Sequence, residues 1–172
     1  MDTSAEPENV YIGSYSDGQK RPSFYDLIPK QMTALKINID LTNPSYVLPF
    51  KNMIYIVEET DNGQLVTIDK EFNVIKTLPT QGNDPCHISI NHAGTRLVVT
   101  NYSTGSFAMY ALDKDGVPTK MISFVMHEGH SKNPDRQEGP HPHCSLFSEN
   151  DKILFVTDLG TDTVYYYTVS ED

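Results

Sequence analysis

Histidine is the residue of this chain best suited to chemistry near neutral pH, because imidazole titrates at a pKa of about 6.5. Of the six histidines, His141 and His143 flank a proline in the stretch RQEGPHPHCSLF, which ends in an apolar run. His87 stands in the similar stretch DPCHISI. A histidine at the start of a strand can act as a general base that activates water, or can simply hydrogen-bond within a turn. These stretches therefore indicate either surface turns or the mouth of a site.

Two cationic residues lie on the long polar stretch that leads to these histidines, HEGHSKNPDRQEGPH. A guanidinium binds a carboxylate or phosphate through two parallel hydrogen bonds, so Arg136 is a candidate anion clamp. Lys132 is a weaker candidate for the same role. A local surface pair of Arg136 with Asp135 or Glu138 is equally consistent with the sequence.

The spacing of the other reactive residues argues against metal, cofactor and thiol chemistry. His127 and His130 lack the i, i+4 helical spacing of zinc hydrolases, and their segment has no helix signal, so we expect neither a metal nor another cofactor. Cys144 follows His143, and adjacent residues of a strand point to opposite faces, so these two side chains should not meet. The sequence contains neither a glycine-rich phosphate loop nor a G-x-S-x-G elbow.

Short runs rich in Val, Ile, Tyr, Phe and Thr must position the candidate residues. Examples are MIYIVEE, QLVTID, RLVVTNY, SFAMYAL and TVYYYTV, with Gly, Pro, Asn and Asp between the runs. This composition is typical of β-strands separated by tight turns. The sequence therefore predicts an all-β fold.

A repeat that begins at a proline indicates the arrangement of the strands. From Pro44, Pro85 and Pro142 the chain reads strand, polar turn, strand, glycine-containing turn and strand. The first two prolines are 41 positions apart, close to the ~40–45 residues of a four-stranded propeller blade. The next interval is 57 positions, and the surplus falls on the stretch that contains Arg136. Because insertions in repeat architectures map to loops, often on the binding face, we expect about three four-stranded blades and a site near this loop.

Strand direction predicts which residues share one end of the propeller. The loops that enter the first strands and the loops that join second to third strands lie at the same end, here called the rim. The residues on these loops are His87, His141, His143, Glu59, Asn101, Tyr102 and Asp158. The repeat aligns Glu59 with Asn101, Tyr102 and Asp158. A turn-capping role is favoured for Asp158, and a role in tying adjacent blades together is favoured for His87.

Charge and cysteine content restrict the class of protein. The chain has 23 acidic and 13 basic residues and a formal net charge of −10, which disfavours nucleic acid and anionic membranes as partners. The two cysteines cannot form a disulfide framework, and the start MDTSAEPENV does not resemble a signal peptide, so we expect a cytoplasmic protein. We expect residues 1–9 to be a flexible terminus and residues 10–172 to be one propeller domain.

The ordered set YIGSYS, NPSY, YIVEE, DPCHISI, TNYSTGSFAMYAL, RQEGPHPH and FVTDLGTDTVYYY resembles the seven-bladed β-propeller lactonase family. This family is typified by cycloisomerase-type 6-phosphogluconolactonases and is related to carboxymuconate-lactonizing enzymes. Its members are roughly twice as long, so the chain resembles the N-terminal half, about three blades of seven. A partial ring leaves open sheet edges, which could pair with a second copy or with a partner chain.

The resemblance implies hydrolysis of an anionic sugar-acid lactone, in particular 6-phosphogluconolactone to 6-phosphogluconate in the pentose phosphate pathway. The alternatives are a muconate-type lactonizing cycloisomerase and an inactive partial propeller that only binds ligands. His143 matches the histidine proposed as acid/base in the lactonizing enzymes, and Glu59 matches a family acid. The expected catalytic residues are thus His143, Arg136 and Glu59. The expected substrate-binding residues are His141, His87, Asn101, Tyr102 and Lys132.

Overall fold

The computed structural model describes residues 8–16, 23–28, 31–35 and 39–170, and every regular element among them is a β-strand. The strands form four antiparallel sheets. The predicted all-β class is therefore confirmed. Nowhere in these ranges is there a helix of the length and hydropathy needed to cross a membrane.

The strands follow one another in simple up-and-down order within each sheet. The N-terminal sheet contains β1 (Glu8–Ile12), β2 (Ser23–Ile28) and β3 (Gln31–Leu35). Blade 1 contains β4 (Val47–Phe50), β5 (Met53–Glu58), β6 (Gln64–Asp69) and β7 (Val74–Pro79). Blade 2 contains β8 (Pro85–Ile90), β9 (Arg96–Asn101), β10 (Ser106–Leu112) and β11 (Pro118–Met126). Blade 3 contains β12 (Pro142–Phe147), β13 (Ile153–Asp158) and β14 (Thr163–Thr168).

The blades begin where the proline repeat predicted, and the surplus residues form the connection between β11 and β12, here called the insertion loop (residues 127–141). Three details differ from the prediction. Blade 3 has three strands rather than four within the described residues. The sequence did not predict two strands, β2 and β7, and the side chains of β7 are almost all exposed. Residues 8 and 9 belong to β1, while the rest of the expected flexible terminus, residues 1–7, lies outside the described residues.

Alternating side chains of the inner strands pack the blades against one another. On β9, Leu97 and Val99 join a buried cluster with Tyr55 of blade 1, whereas Val98 faces Leu154 of blade 3. This follows from the two-residue period of a strand, because both faces of a middle blade are covered. Burying each such side chain contributes about 1.5–3 kcal/mol, so the two interfaces hold the blades in fixed relative positions.

The same backbone hydrogen bond closes the rim end of each blade. The amide that follows the second strand donates to the carbonyl just before the first strand. The pairs are Glu59 N to Asn43 O (3.0 Å), Tyr102 N to Asp84 O (2.9 Å) and Leu159 N to His141 O (3.0 Å). A further bond, Asp84 N to Thr60 O (2.9 Å), links the rim ends of blades 1 and 2. The predicted rim is confirmed by these contacts.

The bonds also correct the predicted repeat alignment by one residue. Glu59 is equivalent to Tyr102, and the position of Asn101 and Asp158 is occupied in blade 1 by Glu58. Glu58 accordingly accepts a hydrogen bond from the backbone amide of Thr42 (2.6 Å). In blade 3, Asp158 likewise accepts one from the backbone amide of His141. The sequence could not show this difference, because blade 1 aligns with the other two blades only if a gap is introduced. The sequence allows that gap at several positions between the first and second strands.

Candidate active site

Tyr102, in the turn after β9, is the centre of a cluster on the rim. The ring of His141 stacks on it with 4.4 Å between centroids and 13° between planes. His143 approaches it edge-on at 5.8 Å, and Arg136 Nη2 donates a hydrogen bond to its hydroxyl (3.3 Å). The structure thus brings together four of the predicted site residues, from blade 2, the insertion loop and blade 3.

His141 is held at both ring nitrogens. Nδ1 lies 3.1 Å from the carbonyl oxygen of Tyr102, and Nε2 lies 3.0 Å from Oε1 of Glu138. Both partners are acceptors, so both contacts are hydrogen bonds only when the imidazole carries two protons. Because the Glu138 carboxylate contacts this imidazole, the His141–Glu138 pair adds no net positive charge beside Arg136. Hydrogen bonds from its own backbone and from His141 lower the pKa of Glu138.

His143 has the free imidazole of the cluster. It is exposed, and among the residues that the structure describes neither ring nitrogen has a hydrogen-bond partner. With Arg136 it lines an open cleft of about 590 Å³, and the rest of the lining comes from the end of β13, the start of β14 and the turn between them. A free imidazole beside a guanidinium is suited to accept a proton from water next to a bound anion.

Asp158 fixes the backbone around this cluster. Its Oδ2 lies 2.6 Å from Nδ1 of His127, and both side chains are buried. Its Oδ1 accepts from the amides of His141 (2.8 Å) and Thr161 (3.1 Å). The turn-capping role predicted for Asp158 is confirmed by Thr161, but the pairing with His127 was not foreseen, because 31 residues separate the two.

The insertion loop is tied to the β13–β14 turn. Gln137 Nε2 donates to the carbonyl of Leu159 (2.9 Å), and Ser131 N donates to the carbonyl of Gln137 (3.0 Å). Gly160 lies so close to the carbonyl of Gly139 that a Cβ at residue 160 would collide with it. This close approach positions the loop that bears Arg136.

Glu59 stands on the blade 1 side of the rim, where Tyr15 Oη donates to its Oε1 (2.6 Å). That hydrogen bond, partial burial and the charge of Glu59 raise the pKa of Tyr15 to about 12. Tyr15 was not predicted as a site residue. The polar end of YIGSYS could have indicated it, because the segment after β1 reaches the rim. There the amide of Ser14 donates a hydrogen bond to the carbonyl of Pro44 (2.9 Å).

His87 lies between blades rather than in the Tyr102 cluster. Its Nδ1 accepts from the amide of Ser145 (3.4 Å), its Nε2 lies 3.5 Å from Sγ of Cys144, and its ring contacts Tyr46 at 4.5 Å. Burial and the charge of His143 lower the pKa of His87 to about 4. The blade-tying role favoured by the sequence is confirmed by these contacts.

Neither thiol is activated. Burial and the charge of Glu59 raise the pKa of Cys86 to about 12, and burial raises the pKa of Cys144. Cys144 meets the imidazole of His87, not that of the adjacent His143. In the described ranges no group of three or more His, Cys, Asp or Glu side chains is placed to hold a metal ion.

Two other predicted residues lie apart from the cluster. Asn101 is fully buried, and its Nδ2 donates to Ser106 Oγ (3.1 Å) and to the carbonyl of Thr80 (3.3 Å). A Cβ on Gly82 would lie 2.5 Å from the Asn101 side chain, so this amide is closed off from the rim. Lys132 is exposed on the insertion loop and is not part of the cleft lining.

Comparison with known proteins gives one consistent family. The sequence model described as "Lactonase, 7-bladed beta-propeller" matches residues 9–172. A 6-phosphogluconolactonase from Bacillus subtilis (strain 168) is 30% identical over 173 residues, covering 94% of this chain and 49% of the relative. The chain therefore spans about half the length of the curated relatives it matches.

Solved structures agree with this relationship. A putative 6-phosphogluconolactonase from Bacteroides fragilis NCTC 9343 superposes with a TM-score of 0.86 at 25% identity, over 99% of this chain and 50% of that one. The periplasmic gluconolactonase of Pseudomonas aeruginosa gives a TM-score of 0.81 at 25% identity, over 93% of this chain and 49% of that one. The predicted partial propeller is confirmed.

Proposed function

The chain belongs to the seven-bladed β-propeller lactonase family, and from this premise we propose that it hydrolyses a sugar-acid lactone on the rim. The observation that carries the proposal is the pairing of a free imidazole, His143, with the guanidinium of Arg136 on one open cleft. The names of the relatives from Bacillus subtilis and Pseudomonas aeruginosa support a lactone as the substrate class.

In the proposed mechanism, His143 accepts a proton from a water molecule as that water attacks the carbonyl carbon of the lactone. The ring C–O bond then breaks, and the proton on His143 passes to the leaving alkoxide, which gives the open hydroxy acid. A positioned base of this kind contributes about 10²–10⁴-fold to the rate. Glu59, held by Tyr15, is proposed to orient the substrate from the blade 1 side.

Arg136 would bind the anionic end of the substrate, with His141 beside it. Arg136 donates a hydrogen bond to the hydroxyl of Tyr102, and the Tyr102 ring stacks on the His141 imidazole. Because a guanidinium matches phosphate geometry, we propose 6-phosphogluconolactone as the substrate, in the pentose phosphate pathway. The free thiols of Cys86 and Cys144 favour a reducing compartment, so we propose a cytoplasmic location.

The face of blade 3 that points away from blade 2 supports a proposal about self-association. Four large apolar side chains are exposed on it: Leu146, Phe155, Val164 and Tyr166. We propose that this face packs against a second copy when the 172-residue chain is isolated, because water-exposed apolar patches favour association. Light scattering should show a dimer or larger species, and a monodisperse monomer would contradict this.

A product assay with variants of Arg136 and Lys132 tests the proposed hydrolysis. With 6-phosphogluconolactone, we expect the R136Q variant to raise KM about tenfold or more, because a charge-assisted hydrogen bond to phosphate is lost. With unphosphorylated gluconolactone its effect should be smaller. The matched variant K132Q removes the same charge from the same loop, outside the cleft lining, and should leave both reactions unchanged.

The same assay separates the alternatives. Lactone formation from an unsaturated diacid, without hydrolysis of either sugar lactone, would favour a cycloisomerase. Binding of 6-phosphogluconate without turnover of any substrate would favour an inactive binding module. Equal KM values for wild type, R136Q and K132Q would remove Arg136 from the proposed site.

A further inference from the structure

A second cleft, of about 600 Å³, opens between blades 2 and 3 at the end of the strands opposite to the rim. Three cationic side chains line it: Arg96, Lys120 and Lys152. Within the described residues, none of the three forms an ion pair. This grouping is unusual for a chain with a net charge of −10 and many acidic residues that could have neutralised it.

The register of blade 2 places two of these cations on one face. Arg96 on β9 lies opposite Ala111 on β10, and Ala111 lies opposite Lys120 on β11. Side chains directly opposite one another on adjacent strands share a face and are about 5 Å apart at Cβ, so Arg96 and Lys120 stand about 10 Å apart. The small Ala111 between them leaves the space open. Lys152, just before β13, comes from blade 3.

The carboxylate that lines the cleft, Asp151, is already engaged. It accepts hydrogen bonds from the amides of His92 and Ala93 (both 2.8 Å) and from Asn91 Nδ2 (3.2 Å), and it contacts the His92 ring (3.0 Å). Burial acts to raise the pKa of Asp151, but these hydrogen bonds lower it overall. The lowered pKa keeps Asp151 ionised, and its oxygens are bound by the turn that bears His92 rather than paired with the three cations.

An apolar slot of about 180 Å³ adjoins the cationic cleft. The two share Arg96, Ile122 and Val169. The slot continues between the blades along Phe107, Met109, Val125, Leu154 and Tyr167. A ligand with its charge in the cleft could thus bury an apolar ring or short chain in the slot.

We propose that this cleft is a binding site for a small organic anion. Its phosphate or carboxylate would contact Arg96, Lys120 and Lys152, and its apolar part would enter the slot. Like charges gathered in a concave surface repel one another in the empty protein and focus a positive potential, which an anion relieves. The proposal uses no residue of the rim and is independent of lactone hydrolysis.

Titration with phenyl phosphate and with inorganic phosphate, followed by NMR at constant ionic strength, tests the site. We expect phenyl phosphate to shift resonances of residues around the cleft and to bind about tenfold more tightly than inorganic phosphate. The variants R96Q, K120Q and K152Q should each lower the affinity for phenyl phosphate about tenfold or more. The control K76Q, an exposed lysine on β7 of blade 1, makes the same change in charge and should bind normally.

Thermal unfolding without anion provides a second readout. If the three cations are grouped to bind a ligand, K120Q and K152Q should keep or raise the midpoint temperature of unfolding, because repulsion between the cations is removed. Absence of phenyl phosphate binding, or equal weakening by K76Q, would overturn the proposed site. Equal affinity for the two phosphates would overturn the role of the apolar slot.

Discussion

The entrances of blades 2 and 3 share one backbone design but differ in chemistry. In each, a proline pairs with the last residue of the second strand, and the register then shifts by one residue. The extra residue at this bulge is Cys86 in blade 2 and His143 in blade 3. Bulges redirect a side chain, and here they direct Cys86 against the carbonyls of Pro142 and His143, and His143 into the open cleft.

The residue that follows each bulge is a histidine in blade 2 and a cysteine in blade 3. His87 follows Cys86, and Cys144 follows His143, so the order cysteine–histidine in blade 2 becomes histidine–cysteine in blade 3. His87 is packed between blades with a lowered pKa, whereas His143 is exposed. Position relative to the bulge, rather than residue type, decides which histidine is available for chemistry.

The largest expected effect concerns the residues that pair with the two prolines, Asn101 and Asp158. The variant D158N makes blade 3 resemble blade 2. Its amide oxygen can still accept from the backbone amides of His141 and Thr161, but the charge-assisted hydrogen bond between Oδ2 and His127 is lost. We expect a loss of about 3 kcal/mol in the free energy of unfolding. Chemical denaturation measures this, and N101D, which buries an unpaired carboxylate, should also destabilise. A D158N protein as stable as wild type would show that Asp158 does not hold the rim.

The next largest effect concerns the insertion loop, which leads into blade 3 and has no counterpart at the entrance of blade 2. In G160A the new methyl group meets the carbonyl of Gly139, so we expect about 2 kcal/mol of destabilisation and displacement of the loop. G139A is the matched control, because a Cβ there meets nothing within 4 Å. Thermal unfolding of both variants checks this, and equal midpoints would contradict the proposed close packing.

The smallest effect is the pH dependence due to His87. Its folded pKa of about 4 lies below the usual value of 6.5, so the folded state resists protonation. Between these values the unfolded chain binds more protons, and stability falls as pH decreases from about 6.5 to about 4. After discounting for solvent, the contribution is about 1–2 kcal/mol. Unfolding at a series of pH values should show a shallower slope for H87Q, and parallel slopes would contradict the lowered pKa.

The sequence predicted the features that repeat. The prolines at 44, 85 and 142 gave the blade boundaries and the rim, because a strand module with fixed length recurs at a recognisable interval. The same pattern predicted that residues as distant as Tyr102 and His143 would meet. These are consequences of topology, which a single sequence can carry.

The sequence did not predict features that depend on register or on distant packing. The sequence favoured different roles for His87 and His143, but no local signal showed the bulge at His143 that separates their surroundings. The His127–Asp158 pair and the row Arg96–Ala111–Lys120 join residues through cross-strand and loop contacts. Such contacts are fixed only when the strands are paired.

Turnover of 6-phosphogluconolactone by H143Q and H87Q tests the central claim most directly. We expect H143Q to reduce kcat by about 10²-fold or more with an unchanged β-sheet circular dichroism spectrum, since the general base is lost. H87Q should keep most of the wild-type kcat while being less stable. Wild-type kcat in H143Q, or an equal loss in both variants, would contradict the assignment of His143 as the base.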